Sequence, residues 1–304
     1  MSVLTVLDPG LLCTVQDTGR HGHASLGVAH AGAADTVALR IANRLVANRD
    51  DDAALEITLS AASFTASVDT RIAFAGAATR ASIDTRDAYP LLATALRAGE
   101  TLTIHAPPDG ARTYLAIAGG VRTAPVMGSR STHASTGFGS PHDGPLHAGD
   151  TLPITRRDRH PTVHADRIAL IELLRARRST TIRTIGGPRT ACTVDPRSDR
   201  TGVRLLPDQP LPSSAPTDPE PVHPGAIQHT PDGALVALGP DAATTGGYPI
   251  VASIALVDLP VLAQLRPRDR CTLTPITIDE ACALLRARER LLDNAIPSAP
   301  TPDA

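Results

Sequence analysis

The sequence predicts a mainly β protein in two successive subdomains, with a few short helices and no repeating strand–helix–strand unit. Three observations lead there. The chain has 304 residues, more than one ordinary domain needs, and its 42% hydrophobic content is enough for two cores. Its 23 glycines and 27 prolines recur at short intervals as turn signals. Between them lie short apolar stretches rich in Val, Ile, Leu and Thr, which suit strands of barrels or sandwiches.

Taken in order, the strand-like stretches are residues 4–7, 71–75, 101–105, 112–118, 182–185, 235–238 and 250–256. The similar strings at 98–102 and 148–152 each read as a glycine turn feeding a strand. Three helices are expected. Residues 35–48 carry Val37, Ile41, Leu45 and Val46 on one stripe, with Asp35 at or beside the N-cap. Residues 277–293 open with Thr277 and Glu280 at capping-box spacing and continue through Ala281, Leu284, Leu285, Arg288, Leu291 and Leu292. Residues 164–178, with Ile168, Ile171, Leu173 and Leu174 between arginine-rich flanks, read as a solvated connector. Nine prolines between 188 and 224 argue for extended loop with one or two edge strands and no central strand. The resulting division is an N-terminal subdomain at 1–160, a linker at 161–181, a C-terminal subdomain at 182–293 and a disordered tail at 294–304.

Composition excludes several functions. The formal net charge is -2 and there are only three Phe, three Tyr and no Trp, so neither a basic face nor stacking platforms favour nucleic acid. All 29 basic residues other than histidine are arginine. Without lysine this chain cannot carry biotin, form a Schiff base or complete a P-loop. No apolar run reaches membrane-span length, and residues 1–12 lack the features of a secretory leader, so a cytoplasmic protein with no membrane contact is expected. The four cysteines are dispersed and form no C-x-x-C pair, which suits a reducing compartment. His21 and His23 have strand-face spacing but no third ligand nearby, so no metal is expected.

Generic catalytic motifs are missing, but longer strings stand out: residues 14–22 (Thr-Val-Gln-Asp-Thr-Gly-Arg-His-Gly), 27–28, 31–35, 42–48, 54–59, 114–121, 127–132, 198–205, 225–228, 244–249 and 263–267. In this order they resemble the biotin-dependent carboxyltransferase-like family over roughly residues 3–290. That family, related to allophanate hydrolase subunit 2, includes the C-type subunits of 5-oxoprolinase, KipA-type antagonists and the second half of the urea carboxylase carboxyltransferase domain. The resemblance implies two β-barrel-like subdomains, at least one cyclophilin-like. It also implies a B-type (KipI-like) partner and an A-type lactam hydrolase subunit, together opening 5-oxoproline to glutamate with ATP bound with or by a partner. The alternatives are a KipA-like module that sequesters a kinase inhibitor, or a biotin-dependent carboxyltransferase subunit served by biotin on another chain.

Candidate site residues follow from both readings. Asp17 and Arg20 either meet a polar substrate or pin a tight turn. Asp35 is either a helix cap or, by its place in the family's string, a site residue. Ser129 and Arg130, in the string Gly128-Ser129-Arg130-Ser131, offer a cradle for a carboxylate or phosphate, or form a hydroxyl-rich turn. Thr244, Thr245, Gly246, Gly247 and Tyr248 combine close backbone approach with one directed hydroxyl. Gln228 and Arg200 complete the set, with Asp199 available to hold Arg200. Asp17, Asp35 and Tyr248 are assigned catalytic roles and the others substrate binding. Two departures from the family are visible: Ala34 replaces a usual Met, and the segment between Gly187 and Ser198 is short. The latter predicts an altered edge of the second subdomain.

Overall fold

A computed structural model describes residues 2–157, 161–176, 179–212 and 214–298. The first half consists of β1 (Val3–Asp8), β2 (Leu12–Gln16), α1 (Thr36–Leu45), β3 (Ala54–Thr58), β4 (Ala62–Ala66), β5 (Thr70–Gly76), β6 (Ala81–Ile83), β7 (Arg86–Ala88), β8 (Thr94–Leu96), β9 (Thr101–Ile104), β10 (Arg112–Ile117) and β11 (Thr151–Pro153). These strands make a six-stranded sheet, β11-β1-β4-β9-β6-β7, facing a five-stranded sheet, β2-β3-β10-β5-β8. Every pairing in both sheets is antiparallel.

The second sheet is covered on both faces, and its sequence is written for that. In β10, Leu115 and Ile117 enter the core between the sheets, while Tyr114 and Ala116 face the helical layer. β5 alternates likewise, with Ile72 and Phe74 on one side and Ala73 and Ala75 on the other. The small alanines let α1 lie close against the sheet. α1 starts on the Asp35 cap, whose side chain accepts from Ala38 N, and ends at Leu45 just before Ala47, which adopts a left-handed φ of 56°.

After α2 (Arg167–Ala176) come β12 (Thr181–Ile185), β13 (Thr190–Val194), β14 (Gly202–Pro207), β15 (Glu220–Pro221), β16 (Ala226–His229), β17 (Leu235–Leu238), β18 (Thr245–Gly246), β19 (Ile250–Ile254), α3 (Leu259–Gln264), β20 (Arg270–Ile276) and α4 (Ile278–Ala295). Seven of these strands close a barrel, β12-β19-β16-β17-β14-β13-β20, sealed by the parallel pair β12–β20. β15 and β18 form a separate two-stranded ribbon. The described residues are thus mainly β with four α-helices.

Several local expectations are corrected. The proline-rich stretch supplies two integral barrel strands, β13 and β14, each paired on both sides. Its prolines sit in loops, at Pro207 at the end of β14, or in the β15 ribbon, where no continuing ladder needs an N–H. The short 188–197 segment still provides β13, which sits between β14 and β20 in the closed barrel. α2 is no solvated connector: Leu170 and Leu173 are buried with α1, whereas Ile168 and Ile171 face solvent. α4 has the expected capping box, but its end turns back to the first half, where Leu292, Ala295 and Ile296 are buried in the helical core. Residues 294–296 therefore belong to the end of α4 and its cap rather than to a loose tail, and residues 299–304 of that segment lie outside the described residues. The α2 flanks Arg159, Arg177 and Arg178 lie outside them as well.

Candidate functional site

The predicted residues fall into three groups. The first surrounds Asp17, just beyond β2, where the 123–146 loop folds back along the sheet. Asp17 Oδ1 accepts from Gly19 N (2.8 Å), Ser129 Oγ (2.6 Å) and Ser131 Oγ (2.6 Å), and Oδ2 accepts from Arg130 N (2.6 Å). Its own peptide N–H donates to Ser131 Oγ. Such a carboxylate holds a loop in place, and its lone pairs are occupied. Ser129 and Ser131 are buried with it. Arg130 donates through Nε to Thr123 O, and its two terminal nitrogens make no hydrogen bond with any described residue.

Arg20 does not close a turn onto Asp17. Its Nε donates to Val126 O and its Nη2 to Ser131 O, and the guanidinium lies 5.0 Å from the Phe138 ring centre. Nη1 is buried and has no hydrogen-bond partner among the described residues. Burial pulls the Arg20 pKa below its ordinary value, against the fields of Asp17 and Asp241. Gly139 is obligatory here, because a Cβ would come within 1.7 Å of Arg20 Nη2. Arg20, against Phe138 and Gly139, thus backs the wall of an open cleft of about 910 Å³ formed by residues 27–29, Val126, part of the 133–143 loop, Thr201, Asp241 and Ala243.

The second group lies on the barrel and follows Ala243 in the chain. Thr245 and Gly246 form β18, paired with β15, and Val222 N and Thr217 N donate to Thr244 O and Gly247 O. A side chain at Gly246 would press to 2.2 Å from Gln228 Nε2, so the glycine is what allows this ribbon to close on Gln228. Gln228 Nε2 in turn donates to Tyr248 O. Tyr248 is 39% exposed and its hydroxyl makes no hydrogen bond among the described residues.

The third group is internal. Arg200, read from sequence as a substrate-binding cation, is buried between the subdomains and faces no cleft. Its Nε and Nη2 grip both oxygens of Asp241, Nη2 also reaches Gly32 O, and Nη1 meets Glu56 Oε1. Asp199 does not hold it; Asp199 Oδ1 accepts from Thr201 N and Gly202 N. Glu56 Oε2 accepts from Tyr114 Oη and Ala34 N, and Arg112 Nε is 3.5 Å from Oε1. Burial works against ionisation of Glu56, but Arg200 and Arg112, with the two hydrogen bonds, hold its pKa below the usual value. Burial and the Glu56 charge push Tyr114 well above its own. Asp35 is fully buried; besides capping α1 it accepts from Gln264 Nε2 (2.7 Å), while Gln264 Oε1 takes Ala111 N and Arg112 N.

Glu56, Arg112, Tyr114, Asp241 and Gln264 were not among the predicted site residues. A lone Glu in the apolar strand Ala54–Thr58 was the one available signal, since such a residue needs a buried partner. His21 pairs with His30 rather than His23, at 3.2 Å from Nδ1 to Nε2, and burial keeps the His30 pKa low. Among the described residues, no group of three or more His, Cys, Asp or Glu is placed to hold a metal ion.

Comparisons with known proteins agree with this architecture. The family model for the carboxyltransferase domain, subdomains A and B, matches residues 26–275. The C-type 5-oxoprolinase subunit of Escherichia coli is 35% identical over 305 residues, covering 94% of both chains. The solved urea carboxylase of Kluyveromyces lactis superposes with a TM-score of 0.85 at 26% identity, over 99% of this chain but only 30% of its own. The solved protein TTHA0988 gives a TM-score of 0.76 at 30% identity, over 91% of this chain and 56% of its own. The chain belongs to the carboxyltransferase family and carries its subdomains A and B.

Proposed function

We propose that this chain is the C-type subunit of an ATP-dependent 5-oxoprolinase, assembling with a B-type partner and an A-type subunit to open 5-oxoproline to glutamate. The observation that carries the reading is the end-to-end similarity to the C-type subunit of Escherichia coli, 94% of each chain at 35% identity. In this reading Arg130, with both terminal nitrogens unengaged among the described residues, receives the substrate carboxylate, and the Tyr248 hydroxyl supplies a directed hydrogen bond from the barrel. Asp17 fixes the Arg130 loop, and Asp35 and Arg200 act only by holding the two subdomains in register.

The nucleotide belongs with a partner. In this reading the chain, which has no lysine, cannot complete a P-loop of its own. The likeness to urea carboxylase supports a second reading, carboxyl transfer to or from biotin carried by another chain.

The test is ATP-dependent release of glutamate from 5-oxoproline by the reconstituted three-subunit complex, with each subunit omitted in turn. Activity that requires all three is expected. An assembled complex that releases no glutamate would overturn the reading, and urea carboxylation with a biotin-bearing partner would favour the second.

A further inference from the structure

The segment from Gly19 to Gly32 turns out and back, and its residues 27–29 line the cleft. Its base is well held. Arg20 N donates to His30 O (2.7 Å), Ala33 N to Asp17 O, and Ala31 N to Pro240 O on the barrel. The stretch in between is held less. Among the described residues, the backbone of 21–29 hydrogen-bonds only within itself, through Leu26 N and Val28 N to His23 O and Gly27 N to Ala24 O. Leu26, in this turn, is 70% exposed and anchors nothing. What ties the start of the stretch to its end is the contact between His21 and His30.

The protons in that contact are fixed by the acceptors around it. His30 Nδ1 lies 2.7 Å from Ala31 O, which only accepts, so Nδ1 carries the hydrogen and the neutral ring keeps its lone pair on Nε2. That lone pair faces His21 Nδ1 at 3.2 Å, and His21 is therefore the donor. A first added proton goes to His21 Nε2, outside this bond, and leaves it intact. A further proton on His30 Nε2 sets two N–H groups head to head and places two cationic rings 4.4 Å apart. The His30 ring also packs on the backbone of Gly19, at φ +93°, where a Cβ would come within 2.5 Å of His30 Cε1.

We infer that residues 21–29 form a pH-sensitive flap on the cleft wall, latched by the His21–His30 hydrogen bond and released when His30 takes a proton on Nε2. The charges near His30 do not cancel this. Burial opposes the proton most, Arg20 and His21 oppose it too, and Asp17 favours it, which leaves His30 below its ordinary 6.5. His30 also lines the cavity between the subdomains with Arg112, Asp199 and Arg288. Each of these has a partner already: Glu56 for Arg112, the Thr201 and Gly202 amides for Asp199, and Glu289 for Arg288. The closed flap therefore binds fewer protons than the open one. Its stability is complete above the open-state value of 6.5 and is lost as pH falls from there toward the lower closed-state value. The inference does not depend on the oxoprolinase reading.

The test is amide hydrogen exchange of the full chain by NMR at about pH 7.5 and about pH 5.5, corrected for intrinsic rates, with the histidine ring nitrogen shifts followed over the same range. Protection of the Arg20, Gly27 and Val28 amides should fall about threefold or more at the lower pH, while β16 and β17 in the barrel keep theirs. His30 should carry hydrogen on Nδ1 and a bare Nε2 at the upper pH, and Nε2 should gain its proton as the flap loosens. His30→Asn, whose side-chain amide can still donate to Ala31 O but takes no proton, should be equally protected at both values. The inference is overturned if the parent's flap amides are equally protected at both, if His30 carries hydrogen on Nε2 at the upper pH, or if His30→Asn loses protection as the parent does. Should His30→Asn leave the flap loose at both values, the parent decides: Nε2 protonation in step with faster exchange supports the latch, and protonation without it removes the latch.

Discussion

Asp17 and Glu56 are both carboxylates sealed from water, at 5% and 1% exposure, yet they are satisfied in opposite ways. Asp17 sits among two hydroxyls and two peptide N–H groups, all from segments of the first half. Glu56 meets the guanidiniums of Arg200 and Arg112, one of them from the barrel. Neutral donors shape a loop beside an open cleft. Opposite charges, which cannot be left alone in an interior, weld two subdomains together. The first arrangement can be disturbed locally, while the second should fail as a unit.

The largest effect is therefore expected at the weld. Arg200→Met strands two buried carboxylates, Glu56 and Asp241, and should cost about 3–5 kcal/mol, read from the urea unfolding midpoint. A loss under about 1 kcal/mol would mean the subdomains are held by apolar contact alone.

Acid should find the same place. The folded pKa of Glu56 is depressed, so its contribution is fully present above the unfolded value near 4.5 and is lost as pH falls through the lower folded value. Over that window the parent should lose stability more steeply than Glu56→Gln. Parallel curves would remove Glu56 from the account of acid sensitivity.

Asp17→Ala should cost less, about 1–3 kcal/mol, by leaving Ser129, Ser131 and the Arg130 amide without their acceptor. Hydrogen exchange should quicken in residues 126–139 and leave the barrel unchanged; spread of the effect into the barrel would erase the contrast with Glu56. Gly139→Ala should cost about 1–3 kcal/mol, because the residue has φ +81° and faces Arg20. A melting temperature equal to the parent's would show that the loop simply shifts aside.

Tyr248→Phe should change stability by less than about 0.5 kcal/mol, since the hydroxyl holds nothing within the described residues. The reconstituted complex should nevertheless lose turnover. Unchanged turnover would take Tyr248 out of the site.

Much of this was legible in the sequence, and for identifiable reasons. Each of the seven strand-like stretches coincides with a strand to within two residues at either end, because alternation and turn chemistry act over a few neighbouring positions. Thr277 and Glu280 marked the start of α4 for the same reason. Six-residue α3, with Pro260 in its first turn, carried too little periodicity to be seen, and the prolines around β13 and β14 hid strands that lie between them. Of the site, the strings containing Asp17, Ser129 and Tyr248 stood out, but not their surroundings. Nothing local distinguishes Arg130, whose terminal nitrogens meet no described residue, from Arg200, whose guanidinium is fully engaged.

The sequence by itself determined the strand-rich fold, the turn positions and the two faces of β10, where Leu115 and Ile117 had to part from Tyr114 and Ala116. Only the tertiary structure decided which buried charges meet. Arg200 lies 144 residues from Glu56, and Gln264 lies 229 from Asp35. Backbone conformation is governed by steric and hydrogen-bonding limits between near neighbours, so it can be read locally. Charge pairing depends on which surfaces come together, and that is fixed only when the barrel docks against the sheets.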